Sequence, residues 1–134
     1  MKKVIFDKPY LVIYSDEEMT IIHLQWKKLA TSEEFRLALD FAYDYVLKNG
    51  IKFWLANLKN MSVIKEADQR WTNQIWFPKI SKTKIEKMAI VNSLDYFNQS
   101  AVQKIMIKAD PIIGFETKYF NDLDEARNWL LNRD

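Results

Sequence analysis

Side chains able to do acid–base, nucleophilic or metal chemistry are sparse in this sequence. His23 is the only histidine among the 134 residues. A catalytic histidine needs a nucleophile beside it or a carboxylate that orients it. His23 lies instead between Ile22 and Leu24, and a partly buried place on a strand accounts for it. There is no cysteine, which removes thiolate nucleophiles, thiolate metal sites and disulfides. Paired carboxylates of glycosidase type have two candidate pairs. Glu66 and Asp68 are two apart, so they point to different sides of a helix. Asp40 and Asp44 share a helical face with Arg36 and Lys48, the pattern of a solvated surface. An oxygen-ligated metal needs a denser cluster and a turn glycine, and the only glycines are Gly50 and Gly114. A glycine-cradled phosphate loop is absent for the same reason. The residues therefore predict no enzyme, no cofactor and no metal.

Binding chemistry has more material. Asn57, Asn60, Ser62, Asn92 and Ser93 fall where parallel strands would end, beside two helix starts. Such an end can hold an anion on backbone N–H groups; helix capping and turn formation account for the same residues. Trp76 and Phe77 lie off the apolar stripe of their helix and precede a proline, which makes them candidates for an exposed aromatic patch or a pocket wall. Lys79, Lys82, Lys84 and Lys87 follow, with Glu86 among them. One stacking platform beside a short charge run is a weak nucleic-acid signal, and a solvated loop explains it. Leu37 and Phe41 sit beside the main stripe of the first helix and are candidates for a homodimer face.

Composition narrows the class. The chain is of single-domain size, and 49% of its residues are apolar, enough for a sizeable core. Basic and acidic residues number 20 and 18, for a net charge of +2. That balance gives no whole-domain attraction for nucleic acid or an anionic membrane. No stretch reaches the roughly 18 apolar residues of a membrane span. The N-terminal MKKVIFDKPY has too short an apolar run for a signal peptide. A soluble cytoplasmic protein is expected.

The elements that must position these residues follow from periodicity. Val4–Phe6, Tyr10–Tyr14 and Met19–Trp26 read as three strands of a meander. In the third, Thr20, Ile22, Leu24 and Trp26 share the more apolar face. Thr31-Ser32-Glu33-Glu34 is a capping box. It opens a helix with Phe35, Ala38, Leu39, Ala42, Tyr45 and Val46 on one stripe, ended by Asn49-Gly50. A strand over Phe53–Leu58 comes next. A helix follows, with Ser62 as its N-cap and Ile64, Ala67, Trp71 and Ile75 as its buried stripe, and Pro78 stops it. A strand over Lys87–Val91 precedes a helix over Tyr96–Ala109, with Phe97, Ala101, Val102, Ile105 and Ala109 aligned. Glu116–Phe120 is the last strand, and Asn121 or Asp122 caps a final helix with Leu123, Ala126, Trp129 and Leu130. The order βββαβαβαβα predicts one α/β domain spanning residues 1–134. Its mixed sheet is parallel in the C-terminal part and carries about four helices.

This order, with three landmarks, resembles the bacterial SpoIIAA-like group of the STAS superfamily. The first landmark is the strand ending near Leu58, then Met61, then a helix with Asp68 and Trp71. The second is Trp76 closely followed by Pro78. The third is the ending Tyr119-Phe120-Asn121-Asp122-Leu123-Asp124-Glu125-Ala126-Arg127-Asn128-Trp129-Leu130. The resemblance implies a non-enzymatic domain for protein contacts or signal relay. Members that act as phosphoswitches carry an Asp-Ser-Ser-Gly loop where this chain has Lys65-Glu66-Ala67-Asp68, so it resembles a branch without the phosphoacceptor serine. Glu66 could imitate a fixed negative charge there, although a glutamate suited to the helix dipole is the simpler account. By analogy with lipid-carrying CRAL-TRIO domains, the alternative is a module for a small apolar or amphipathic ligand, held by the aromatic surface near Trp71, Trp76 and Phe77. The expected partner is another protein or a second copy of the chain.

Overall fold

The computed structural model describes residues 2–132. Six strands form one sheet in chain order: β1 (Lys2–Lys8), β2 (Leu11–Asp16), β3 (Ile21–Trp26), β4 (Phe53–Asn57), β5 (Lys87–Val91) and β6 (Glu116–Phe120). The first three pair antiparallel, and β3 to β6 pair parallel. Helix α1 (Ser32–Asn49) joins β3 to β4, and α4 (Tyr96–Ala109) joins β5 to β6. Between β4 and β5 runs a composite helix: α2 (Glu66–Trp71), a π-helical turn (Thr72–Trp76) and α3 (Phe77–Ile80). After β6 comes α5 (Leu123–Leu131). The mixed α/β architecture with four helical bodies is the one expected from the order of elements.

The right-handed crossover rule places consecutive crossovers on the same face when a parallel sheet grows in one direction. Accordingly α1, the composite helix and α4 share one face, where Ile22, Leu24, Trp54, Met88 and Ile90 meet Ala38, Trp76 and Val102. Strand alternation sends Ile21, Phe53, Leu55, Ala89 and Val91 to the other face, under Ala126 and Leu130 of α5. Helix α1 has the expected capping box: Glu34 N donates to Thr31 Oγ1 and Thr31 N to Glu34 Oε1. Gly50 closes it at φ 60°. Asp122 caps α5 by accepting from Glu125 N.

Three local expectations need correction. The third strand starts at Ile21, because Met19 and Thr20 form the turn before it. Thr20 adopts φ 56°, and its carbonyl accepts from both Lys52 N and Phe53 N at the head of β4.

Pro78 does not end the composite helix, which continues to Ile80. The buried side of that helix is Asp68, Thr72 and Trp76, followed by Phe77 and Ile80, with buried Ile64 just before its start. Ala67 and Ile75 are exposed. A strict four-residue spacing drifts around an α-helix of about 3.6 residues per turn. The wider i→i+5 turn, seen where Phe77 N donates to Thr72 O, brings Trp76 back over the core.

Phe97 is 69% exposed. The inward position on the first turn of α4 belongs to Asn98, so the buried stripe is Asn98, Ala101, Val102, Ile105, Met106 and Ala109.

Candidate functional site

The C-terminal ends of β4 and β5 carry two loops that are laced together. Leu58 N donates to Val91 O and Leu94 N to Lys59 O. Ser93 Oγ donates to Met61 O at 2.8 Å. Asn98 Nδ2 reaches Ser62 O at 2.7 Å. Asp95 caps α4 by accepting from Phe97 N, and Gln99 Nε2 donates back to Ser93 O. These bonds tie the segment 92–98 to the β4 loop while three large apolar side chains face outward: Leu94 at 76%, Tyr96 at 72% and Phe97 at 69% exposure. The Tyr96 and Phe97 rings stand edge to face at 5.8 Å. Exposed Lys59 lies beside Leu94 through that backbone bond.

The polar residues singled out in the sequence do gather here, with most of their polar atoms engaged in building the loops. Asn57 Oδ1 accepts from Lys59 N. Asn92 Nδ2 donates to Asn121 Oδ1, tying in the loop after β6. Ser93 is buried with both hydroxyl roles used. Asn60 is exposed. Ser62 is not an N-cap: α2 starts at Glu66 after Lys65, which makes no side-chain cap bond. Glu66 is exposed, loosely facing Arg70 at 3.9 Å.

The aromatic candidates divide. Trp76 and Phe77 are 2% and 3% exposed, so they are no surface patch. The π turn points them inward, where Trp76 Nε1 donates to Leu39 O at 3.0 Å and its ring meets Trp54 edge to face. They do line a cavity of about 90 Å³ under the helices, with Trp54, Met88, Val102 and Met106 among its other walls. Pockets for drug-sized ligands run from about 300 Å³ upward, so this one is too small for a lipid. Trp71 is half-buried, edge-on to Phe35 and under the Arg36 guanidinium. Of the residues expected at a dimer face, Leu37 is exposed. Phe41 packs on Phe6 of β1 at 5.1 Å and is occupied within the chain.

His23 lies under the second face of the sheet, 4% exposed, its ring 5.4 Å from Tyr14. Its Nε2 is buried without a partner. Burial, helped by the positive charges of Lys2 and Arg127, lowers its pKa from 6.5 to about 4. It is neutral near pH 7, and no carboxylate orients it among the described residues. It lacks the setting of a general base. Among the described residues no group of three or more histidine and acidic side chains could hold a metal.

Asp68, weighed in the sequence only as half of a carboxylate pair and as a family landmark, is a buried structural residue. It is 2% exposed and accepts from Ser32 Oγ at 2.8 Å and Arg36 Nε at 3.0 Å. Its carbonyl accepts from Thr72 Oγ1. An acid at the four-residue spacing of Ile64, Thr72 and Trp76 was the available signal.

A mixed sheet with its crossover helices on one face and a terminal helix on the other defines a small α/β domain of STAS type. The SpoIIAA-like family model matches residues 21–131, and the chain belongs to the SpoIIAA-like family. No curated protein and no solved structure matches it.

Proposed function

We propose that this domain is a non-enzymatic regulatory module that docks another protein through the rim formed by Leu94, Tyr96 and Phe97. The observation that carries the reading is their combined exposure on a segment locked by side-chain and backbone hydrogen bonds. Solvent-facing aromatic side chains on a rigid support lose little entropy on binding, and such residues anchor interfaces. Regulatory protein contacts are typical of the family. The partner is expected to offer an apolar pocket for the two rings, with acidic groups facing Lys59.

Signalling by serine phosphorylation is not part of this reading. By the family resemblance, Lys65–Asp68 would fall where switching relatives carry their serine, and Asp68 is committed to Ser32 and Arg36. No helix among the described residues is long and apolar enough to cross a membrane. The small cavity behind Trp76 weighs against the lipid-like ligand.

The test is capture from the source cell with wild type, a Tyr96→Ser/Phe97→Ser variant and a Leu37→Ser variant, followed by native mass spectrometry. A protein retained by wild type and Leu37→Ser but lost from the rim variant is the expected result. A partner lost only with Leu37→Ser, or a self-dimer insensitive to the rim with no other protein captured, would sink the assignment.

A further inference from the structure

The two edges of the sheet are unlike. Strand β1 carries a bulge between Val4 and Phe6 and the lysines Lys2, Lys3 and Lys8. Bulges and lysines are devices that keep an edge strand from pairing with another chain. Strand β6 is less guarded. It runs in unbroken parallel register with β5 from Glu116 to Phe120, and its single lysine, Lys118, is balanced by Glu116.

The hydrogen bonds of β6 fix which of its backbone groups are free. Glu116 N donates to Glu86 O, and Phe120 O accepts from Asn92 N. Backbone groups alternate in direction along a strand. Glu116, Lys118 and Phe120 therefore bond toward β5, and Thr117 and Tyr119 turn their N–H and C=O outward. Nothing among the described residues pairs with that outer side, because β6 ends the sheet. Side chains alternate across the sheet as well. Lys118 and Phe120 lie on the α5 face, with Lys118 Nζ 5.4 Å from the Phe120 ring and that ring against Trp129. Glu116 shares this face, and both charged side chains are exposed.

We propose that β6 pairs antiparallel with β6 of a second copy of this chain, about a two-fold axis at Thr117, so that one sheet runs through both copies. Glu116-Thr117-Lys118 read against itself sets Glu116 opposite Lys118 of the second copy, and Lys118 opposite its Glu116. The match is self-complementary, as an interface across a two-fold axis requires. Thr117 points outward, so the central Thr117 pair exchanges backbone hydrogen bonds. The charge pairs then fall at the non-hydrogen-bonded positions, where opposed side chains are closest. A register centred on Glu116 or on Lys118 sets that residue against its own copy, and like charges directly opposite are destabilising. The edge is separate from the Leu94–Phe97 rim, so this pairing stands whether or not the rim docks a protein.

Sedimentation equilibrium of wild type, Glu116→Lys, Lys118→Glu, Thr117→Pro and Tyr96→Ser/Phe97→Ser tests the pairing. Wild type and the rim variant are expected to pass from monomer to dimer as concentration rises. Each charge variant sets like charges opposite at both symmetric positions and should weaken the dimer roughly tenfold, since two pairs change together. An equimolar mixture of Glu116→Lys and Lys118→Glu should regain the dimer, because every lysine then faces a glutamate. Thr117→Pro removes the central N–H where an edge strand tolerates proline, and should give a monomer with the parent's circular dichroism. A wild type that stays monomeric overturns the proposal. So do charge variants that dimerise like wild type, or a mixture that associates no better than its components. A dimer lost in the rim variant but kept in Thr117→Pro overturns it too, and moves self-association to the rim.

Discussion

Arg36 Nε stands 3.0 Å from Asp68 Oδ1, with the carboxylate side chain 3% exposed and the arginine 39%. This contact fastens the start of the composite helix to the first turns of α1, and Ser32 completes it. A buried carboxylate that loses its cation keeps its desolvation cost. The half-open arginine is partly screened, so the full penalty of a buried pair does not apply. Arg36→Ala is expected to lower stability by about 1–2 kcal/mol in urea unfolding. Asp68→Ala should cost no more than that, because both partners return to water. A larger loss for Asp68→Ala would show that its carboxylate does more than pair with Arg36.

His23 gives the fold an acid-sensitive component. Its folded pKa, about 4, lies below the ordinary 6.5. The unfolded chain therefore takes up the proton first as pH falls. Stability from neutral His23 is fully present above about pH 6.5 and declines between there and pH 4. The shift corresponds to about 3 kcal/mol over the window, at 1.36 kcal/mol per unit. His23→Leu should flatten the fall in Tm between pH 7 and pH 5, where most carboxylates are still ionised. A variant with the parent's slope would place the acid sensitivity elsewhere.

Thr20 holds a backbone conformation that β-branched residues rarely adopt, φ 56°. The turn tolerates it because the Thr20 carbonyl collects two donors from the start of β4. Left-handed geometry costs an L-residue about 1–2 kcal/mol, and glycine avoids that strain at some cost in unfolded-chain entropy. Thr20→Gly is expected to stabilise by about 0.5–1 kcal/mol, read as a rise in Tm. Destabilisation would mean that the side chain contributes more than its exposed bond to Met19 O.

The strands, their order and the capped starts of α1 and α5 were legible because they depend on local pattern. The alternation of Ile22, Leu24 and Trp26 and the Thr31–Glu34 box are local signals. The face of the composite helix was not legible. The expected stripe put Ala67 and Ile75 inside, whereas Asp68 and Thr72, one α-helical turn apart, set the buried side and the π turn keeps Trp76 on it. Nothing in single-residue propensity announces that turn. Phe97 failed for a different reason: hydrophobicity favours it for the core, but the carbonyl of Ser62 needed a donor at that place. The polar residues at the strand ends were correctly gathered by topology, while their use in lacing loops depended on geometry across the chain.

Trp76 tests the consequence of the π turn. Its ring is packed on Trp54 and Phe77, and its indole nitrogen donates to Leu39 O. Trp76→Ala should cost about 3–5 kcal/mol, as expected for removing a buried aromatic side chain. Trp76→Phe keeps part of the ring contact and should cost less. A surface aromatic would give changes within about 0.5 kcal/mol, so urea unfolding separates the two placements cleanly.

Phe97 and Asn98 make the sharpest contrast, because adjacent residues exchange the roles their chemistry suggests. Phe97 is exposed, and its side chain adds nothing to the core; Phe97→Ser should change stability by no more than about 0.5 kcal/mol. Asn98 is fully buried and donates at 2.7 Å to Ser62 O. Asn98→Leu strips that carbonyl of its donor, which would cost about 1–3 kcal/mol for a buried group, but it also removes Asn98 Oδ1, itself buried without a partner, so a smaller net loss is expected. The same change loosens the lacing that holds Leu94, Tyr96 and Phe97 outward. Hydrogen exchange should therefore speed up across residues 58–62 and 92–98 in Asn98→Leu, with little change in Phe97→Ser. If the polar-to-apolar change instead raised Tm and left exchange untouched, the rim would owe its rigidity to other contacts.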